Sequence, residues 1–181
     1  MIISDKYNFI LVLPPRTASR SMSSALHRFA DKKHGISEFH PRLKQITWDY
    51  SNYFTAGFVR NPVDRIMSLF LKERKKKMKH LTFLEFLEIW RGKLSNSSKW
   101  QLHKFLKGVD HIYHYENLPD SWNQFCADVG LNKISLPHIG LSKKRSEFEE
   151  HVTEEALNII FEIFEKDIEL FNFKIGVSDE S

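Results

Sequence analysis

The stretch from Asn8 to Phe29 constrains the fold more than any other. An apolar run, Phe9-Ile10-Leu11-Val12-Leu13, stops at Pro14-Pro15 and passes into Arg16-Thr17-Ala18-Ser19-Arg20-Ser21. Beyond it Met22, Ala25, Leu26 and Phe29 recur at helical spacing. A continuous apolar run, a break and then a helical period read as buried strand, tight loop and helix. Such a junction turns backbone N–H groups and the positive end of a helix dipole toward one spot, which attracts an anion. Arg16 and Arg20 add charge in a planar fork suited to tetrahedral oxyanions, and Thr17, Ser19 and Ser21 add hydroxyls. The loop is not a Walker A motif, which needs Gly-x-x-x-x-Gly-Lys-Ser/Thr, because no glycine lies between Asn8 and Phe29.

The same pattern returns downstream. Tyr53-Phe54-Thr55-Ala56-Gly57-Phe58-Val59 is a second apolar run, and it ends at Arg60-Asn61-Pro62. Pro62 suits the first position of a helix. Val63, Ile66, Met67 and Phe70 then form an apolar face, which leaves Asp64, Arg65 and Ser68 on the polar one. Ile36 to His40 and His111 to Tyr115 alternate as shorter strands, and Leu43 to Ile46 reads as a helical turn. Arg74 to Lys77 extends the second helix as a charge run. Thr82 to Glu85 is a capping box opening a helix that Gly92 closes, before a polar loop at Ser95 to Ser98. Further helices are expected over Trp100 to Leu106 and Trp122 to Val129, the latter after a turn at Glu116 to Asp120. Ile134 to Ile139 is irregular or a short strand, and Thr153 caps a last helix. Strands alternating with helices predict a three-layer α/β fold, a central parallel sheet flanked by helices with Phe9–Leu13 and Phe54–Val59 as inner strands. Ligands of such sheets bind at the carboxyl ends of the strands, where both arginine junctions fall.

Composition bounds the function. At 181 residues a single domain is expected, with a polar tail from Gly176 to Ser181. The net charge of +4 suggests an anionic partner, without pointing to specific nucleic acid. Cys126 is the single cysteine, so no intrachain disulfide forms, and the histidines lack zinc-ligand spacing, so no metal site is expected. No leader-like start and no membrane-length apolar run is present, which makes a soluble, cytoplasmic protein the expectation.

These residues together resemble the sulfotransferases that use 3′-phosphoadenosine-5′-phosphosulfate (PAPS), most closely their carbohydrate-type branch. Phe9 to Ser21 is similar to the family's loop for the 5′-phosphosulfate. Phe58-Val59-Arg60-Asn61-Pro62-Val63-Asp64-Arg65-Ile66-Met67-Ser68 resembles its 3′-phosphate site, where an arginine at the strand end and a later serine hold the phosphate; Arg60 and Ser68 match both in type and spacing. Ile112 to Leu118 looks like the family's strand ending in Tyr-Glu-Asn-Leu, and Phe164 to Phe173 like its carboxyl-terminal helix ending. Arg16 stands where much of this branch has lysine, and Arg20 where a small hydroxyl residue is commoner.

The resemblance implies a P-loop-like fold, PAPS as donor and its product 3′,5′-adenosine bisphosphate (PAP), with no metal required. It implies that Pro15, Arg16, Thr17, Ala18, Ser19, Arg20 and Ser21 hold the phosphosulfate, that Arg60 and Ser68 hold the 3′-phosphate, and that the basic loop Lys143, Lys144 and Arg145 closes over it. Sulfuryl transfer is an in-line displacement in which the protein positions groups and neutralises charge. Arg16 is the candidate for charge on the leaving oxygen. A general base must take the acceptor's proton, and either His40 or Glu38 fills that role. The acceptor expected is a hydroxyl of a sugar or small molecule. The alternatives are a non-catalytic basic module for polyanions, using Arg74 to Lys77 and Lys143 to Arg145, and an ATP-dependent kinase, which the missing Gly-Lys-Ser/Thr argues against.

Overall fold

In the computed structural model, which describes residues 1–31, 40–75, 78–132, 134–139 and 152–174, four strands form one sheet in the order β1 (Ile2–Ser4), β2 (Phe9–Val12), β3 (Phe54–Val59) and β4 (His111–His114). β2 pairs with β3 in parallel, Phe9 opposite Phe54 and Val12 opposite Gly57, and β3 pairs with β4 in parallel, Ala56 opposite His111 and Val59 opposite His114. The carboxyl ends of all three parallel strands therefore lie along one edge of the sheet. The chain is a mixed α/β protein with this mostly parallel central sheet flanked by helices. It divides into two compact units, one of Met1–Val59 with Lys104–Leu141 and one of Arg60–His103 with Ser142–Ser181.

The first unit contains the sheet. Phe9, Ile10, Leu11 and Val12 are all fully buried, which is why β2 reads as an unbroken apolar run rather than an alternation. On one face, Phe9, Leu11, Phe58 and Tyr113 pack with Met22 and Leu26 of α1 (Ser19–Leu26) and with Trp122, Phe125 and Cys126 of α5 (Leu118–Asp128). Phe58 stacks on Tyr113 at 5.2 Å, and the Phe125 ring meets Phe9 edge-on at 5.6 Å and Tyr113 edge-on at 5.9 Å. Such aromatic pairs add about 0.5–1.5 kcal/mol each beyond the area they bury. On the opposite face, a Cβ at Gly57 would sit 2.6 Å from the Leu106 Cδ2, so glycine there lets the buried Leu106 lie against the strand backbone. Thr55 donates its hydroxyl to Asp110 at 2.7 Å and accepts the Asp110 N–H at 2.9 Å, which ties the approach to β4 onto β3.

The second unit is helical. α2 (Pro62–Arg74) is buried on nearly every side, including Pro62, Val63, Arg65, Ile66, Met67, Ser68, Leu69 and Phe70. Phe70 packs on Phe83 and Phe86 of α3 (Phe83–Asn96), at 5.4 Å from each. The Thr82 capping box forms as expected, with the Glu85 N–H donating to the Thr82 hydroxyl oxygen and the Thr82 N–H to the Glu85 carboxylate. α6 (Glu154–Leu170) packs on both, and Thr153 caps it by accepting the Ala156 N–H at 3.2 Å. The short helix α4 (Leu102–Phe105) spans the point in the chain where the second unit's segment ends at His103 and the first unit's resumes at Lys104.

Three local expectations shift. β1 adds an antiparallel edge strand, too short to show a period in the sequence. Gly92 does not close α3, which runs on to Asn96, because burial of Leu94 continues the stripe of Phe86 and Leu87 and offsets the ~1 kcal/mol that an interior glycine costs. α5 begins at Leu118 rather than Trp122, since Pro119 fits a helix's first turn. Of the strand expected over Ile36 to His40, residues 36–39 lie outside the described residues, as do the basic cluster Lys143–Arg145 and the tail, and His40 is a bend with left-handed backbone, not a strand.

The tight approach at Gly57 gives the first prediction. Gly57→Ala should lower stability by roughly 1–3 kcal/mol in urea unfolding, the usual cost of overpacking. The same substitution in a Leu106→Ala background should cost less; equal costs in the two backgrounds would show that Leu106 is not what the glycine accommodates.

Candidate functional site

The loop between β2 and α1 is tightly built. Leu13, Pro14 and Pro15 are buried, Thr17 is fully buried, and the Thr17 hydroxyl donates to the Pro14 carbonyl at 2.9 Å. Arg16 and Ala18, on either side of Thr17, both take left-handed backbone, with φ of 71° and 58°. A residue with a Cβ pays about 1–2 kcal/mol there, and glycine is the usual occupant. Turns of this kind gather successive backbone N–H groups into a concavity suited to anions. Ala18 is the residue before α1 and has no side chain able to cap it, and α1 has no acidic residue in its first turn. The positive end of that helix therefore keeps its field.

The hydroxyls of the loop differ in role. The single hydroxyl hydrogen of Thr17 is engaged with the Pro14 carbonyl and ties the loop to itself. Ser21, 6% exposed, accepts the Ile139 N–H at 3.2 Å, which leaves its own hydrogen to donate. Ser19 is half-buried and Arg20 exposed, both in the first turn of α1.

His40 is joined to the foot of this loop. Its Nδ1 lies 2.7 Å from the Leu13 carbonyl oxygen. A carbonyl can only accept, so Nδ1 carries the hydrogen, and in the neutral ring the lone pair sits on Nε2. His40 is also left-handed, at φ 66°, a strained conformation for a residue with a side chain. Glu38 lies outside the described residues, as do Lys143, Lys144 and Arg145.

The second junction begins where β3 ends. Arg60 is 5% exposed, Asn61 6% and Ser68 4%. Asn61 accepts the Val63 N–H at 2.9 Å, capping α2, and its side-chain amide donates to the Lys174 carbonyl at 2.9 Å. Asn61, Arg65 and Ser68 follow at i, i+4 and i+7, so they share one stripe of α2. That polar stripe is buried, with Arg65 fully so and Ser68 nearly so. The Arg65 guanidinium donates to the Trp100 carbonyl, lies 3.8 Å from the Asp167 carboxylate and sits over the Phe164 ring at 5.4 Å. Burial pulls Arg65 down to about 10, against the attraction of Asp167 and with the repulsion of Arg60, so it stays charged at neutral pH. No local pattern reveals this, because its partner Asp167 comes from the far end of the chain.

Among the described residues, no group of His, Cys, Asp and Glu side chains could hold a metal ion, and no helix is long and apolar enough to cross a membrane.

A sequence model described as the sulfotransferase family matches residues 1–174, a run that includes both junctions. The chain belongs to the sulfotransferase family. It has no significant match among curated proteins or among solved structures. As a sulfotransferase it has a P-loop-like α/β fold and sulfuryl transfer as its reaction class.

The strain in the sulfotransferase's loop is measurable. Ala18→Gly removes a Cβ from left-handed backbone but also loosens the unfolded chain, for a net gain of about 0.5–1 kcal/mol. A higher urea midpoint is the expected result; an unchanged or lower one would mean that Ala18 is not strained.

Proposed function

We propose that this sulfotransferase transfers a sulfuryl group from PAPS to a hydroxyl of a sugar or small-molecule acceptor. The observation that carries the reading is the loop after β2, where two left-handed residues precede an uncapped helix start and His40 is fixed to the loop's foot. These residues fit a phosphosulfate, since backbone donors, a helix dipole and Arg16 meet in one segment. PAPS supplies the activated sulfuryl group and departs as PAP.

In this reading the segment from Pro15 to Ser21 binds the 5′ side of the nucleotide, with N–H groups of Thr17, Ala18, Ser19, Arg20 and Ser21 as donors. Arg16 neutralises charge on the oxygen left behind. Arg60 and Ser68 hold the 3′-phosphate, and Lys143, Lys144 and Arg145 are assigned to the same phosphate. His40 takes the acceptor's proton at Nε2 while Nδ1–H remains on the Leu13 carbonyl, which holds the tautomer a base requires. Glu38 is the alternative base. A sulfuryl group carries less charge than a terminal phosphate, so arginines and oriented backbone dipoles suffice, and no metal is assigned a role.

Nucleotide preference tests the donor. PAP should raise the melting temperature more than equimolar ATP without added metal, and Arg60→Ala should remove most of that preference. Loss of a charged hydrogen-bond partner costs on the order of 1.5–3 kcal/mol, or roughly ten- to a hundredfold in affinity. Equal stabilisation of the parent chain by both nucleotides would refute PAPS as donor.

Transfer of labelled sulfate to a panel of sugar and phenol acceptors tests the base. His40→Ala should keep PAP affinity and lose roughly 10²- to 10⁴-fold in turnover. In the parent, the rate should fall on the acid side as His40 gains a proton. Parental turnover in the variant excludes His40 and passes the role to Glu38.

A further inference from the structure

The buried carboxylate of Asp167 takes no direct part in the chemistry above. It is fully buried on α6, yet it is thoroughly engaged. It accepts the backbone N–H of Leu102 at 2.7 Å and of His103 at 2.8 Å, meets the His103 Nδ1 at 2.6 Å, and faces the Arg65 guanidinium at 3.8 Å. Arg65 is anchored on one side only. Its Nη2 meets Trp100 and Asp167, whereas its Nε and Nη1 are buried with no hydrogen-bond partner among the described residues. The orientation of this buried cation therefore depends on its Nη2 end, where the Trp100 carbonyl accepts its hydrogen bond and Asp167 supplies the counter-charge, and the Phe164 ring backs it. Phe164 itself departs from helical backbone, at φ −117° and ψ 17°, one turn before Asp167.

Arg65 is not an isolated side chain. On its stripe of α2 it follows Asn61 by one turn and precedes Ser68 by one turn. Asn61 is gripped independently from the same end of the chain, by the Lys174 carbonyl. The first turns of α2 are thus held at two points by the carboxyl-terminal segment. Arg60, whose charge repels Arg65, enters this helix directly.

We infer that Asp167 is a positioning residue, which through Arg65 fixes the stripe of α2 carrying Asn61 and Ser68 and so sets how well the enzyme reads a 3′-phosphate. The inference rests on the proposed assignment of Arg60 and Ser68 to that phosphate. Without the charge of Asp167, Arg65 keeps only the Trp100 carbonyl as acceptor and is left as a buried cation without its counter-charge, a costly state that the stripe can relieve by shifting. His103 supplies the internal control, because it contacts Asp167 without being part of α2.

The experiment compares binding of PAP with binding of 5′-AMP, which lacks the 3′-phosphate, in the full chain well below its melting temperature. Asp167→Asn keeps the shape and removes the charge. It should reduce the PAP-to-AMP affinity ratio roughly tenfold while leaving AMP affinity within about twofold. Arg65→Lys keeps the charge but loses the planar fork, and should reduce the ratio in the same way; it also serves if Asp167→Asn does not fold. His103→Ala should lower the melting temperature and leave the ratio at the parental value. A purely structural role would lower stability in all three variants and the ratio in none. Parental ratios in folded Asp167→Asn, or in Arg65→Lys where the first does not fold, overturn the inference. A parent chain that fails to discriminate PAP from AMP overturns the 3′-phosphate assignment itself and this inference with it, an outcome distinct from variants that leave a real preference intact.

Discussion

Parallel pairing of β2 with β3 governs the rest of the architecture. Two parallel neighbours cannot be joined by a hairpin, so the chain must leave β2 at its carboxyl end, cross over and begin β3 at the end where β2 began. The register from Phe9 opposite Phe54 to Val12 opposite Gly57 brings both carboxyl ends to one edge. β4 continues the pattern, with Val59 opposite His114. The loop at Pro14 and the turn at Arg60 are therefore the places where the chain leaves that edge. Because β2 is buried on both faces, only the loops at strand ends have polar backbone to offer a ligand.

Three of the left-handed residues gather where chemistry is expected. Arg16, Ala18 and His40 adopt left-handed backbone, in or against one loop. The packing of Pro14, Pro15 and Thr17 beneath it holds that conformation in place. A strained loop held by its surroundings keeps its backbone geometry without rearrangement, and in sulfuryl transfer positioned charge is the protein's main contribution. The second junction breaks a different rule. A fully buried arginine is tolerated there because Asp167, the Trp100 carbonyl and the Phe164 ring replace part of the water it loses.

Family membership and the fold's outline were legible because both rest on contiguous residues. Phe9–Val12 and Phe54–Val59 are strands because their side chains are apolar without interruption; α2 starts at Pro62 because proline fits a helix's first turn; Thr82 and Thr153 cap helices because their hydroxyls reach N–H groups three residues on. The strand-end arginine, the serine two turns later and the Pro-Arg-Thr loop likewise lie close together in the chain. Where reading failed, the error was also local. Gly92 carries the local signal of a helix end, whereas burial of Leu94 carries α3 past it.

The sequence by itself determined the inner strands and the principal helices, the position of the two basic junctions and the family, since each depends on neighbours along the chain. Tertiary structure alone decided that β1 pairs antiparallel at the sheet's edge, that His40 Nδ1 meets the Leu13 carbonyl, that Ser21 receives the Ile139 N–H, and that Arg65 is buried against Asp167. These pairings join residues far apart in sequence. What selects them is the cost of leaving a polar group without a partner once water is excluded, and that cost exists only when distant segments have packed.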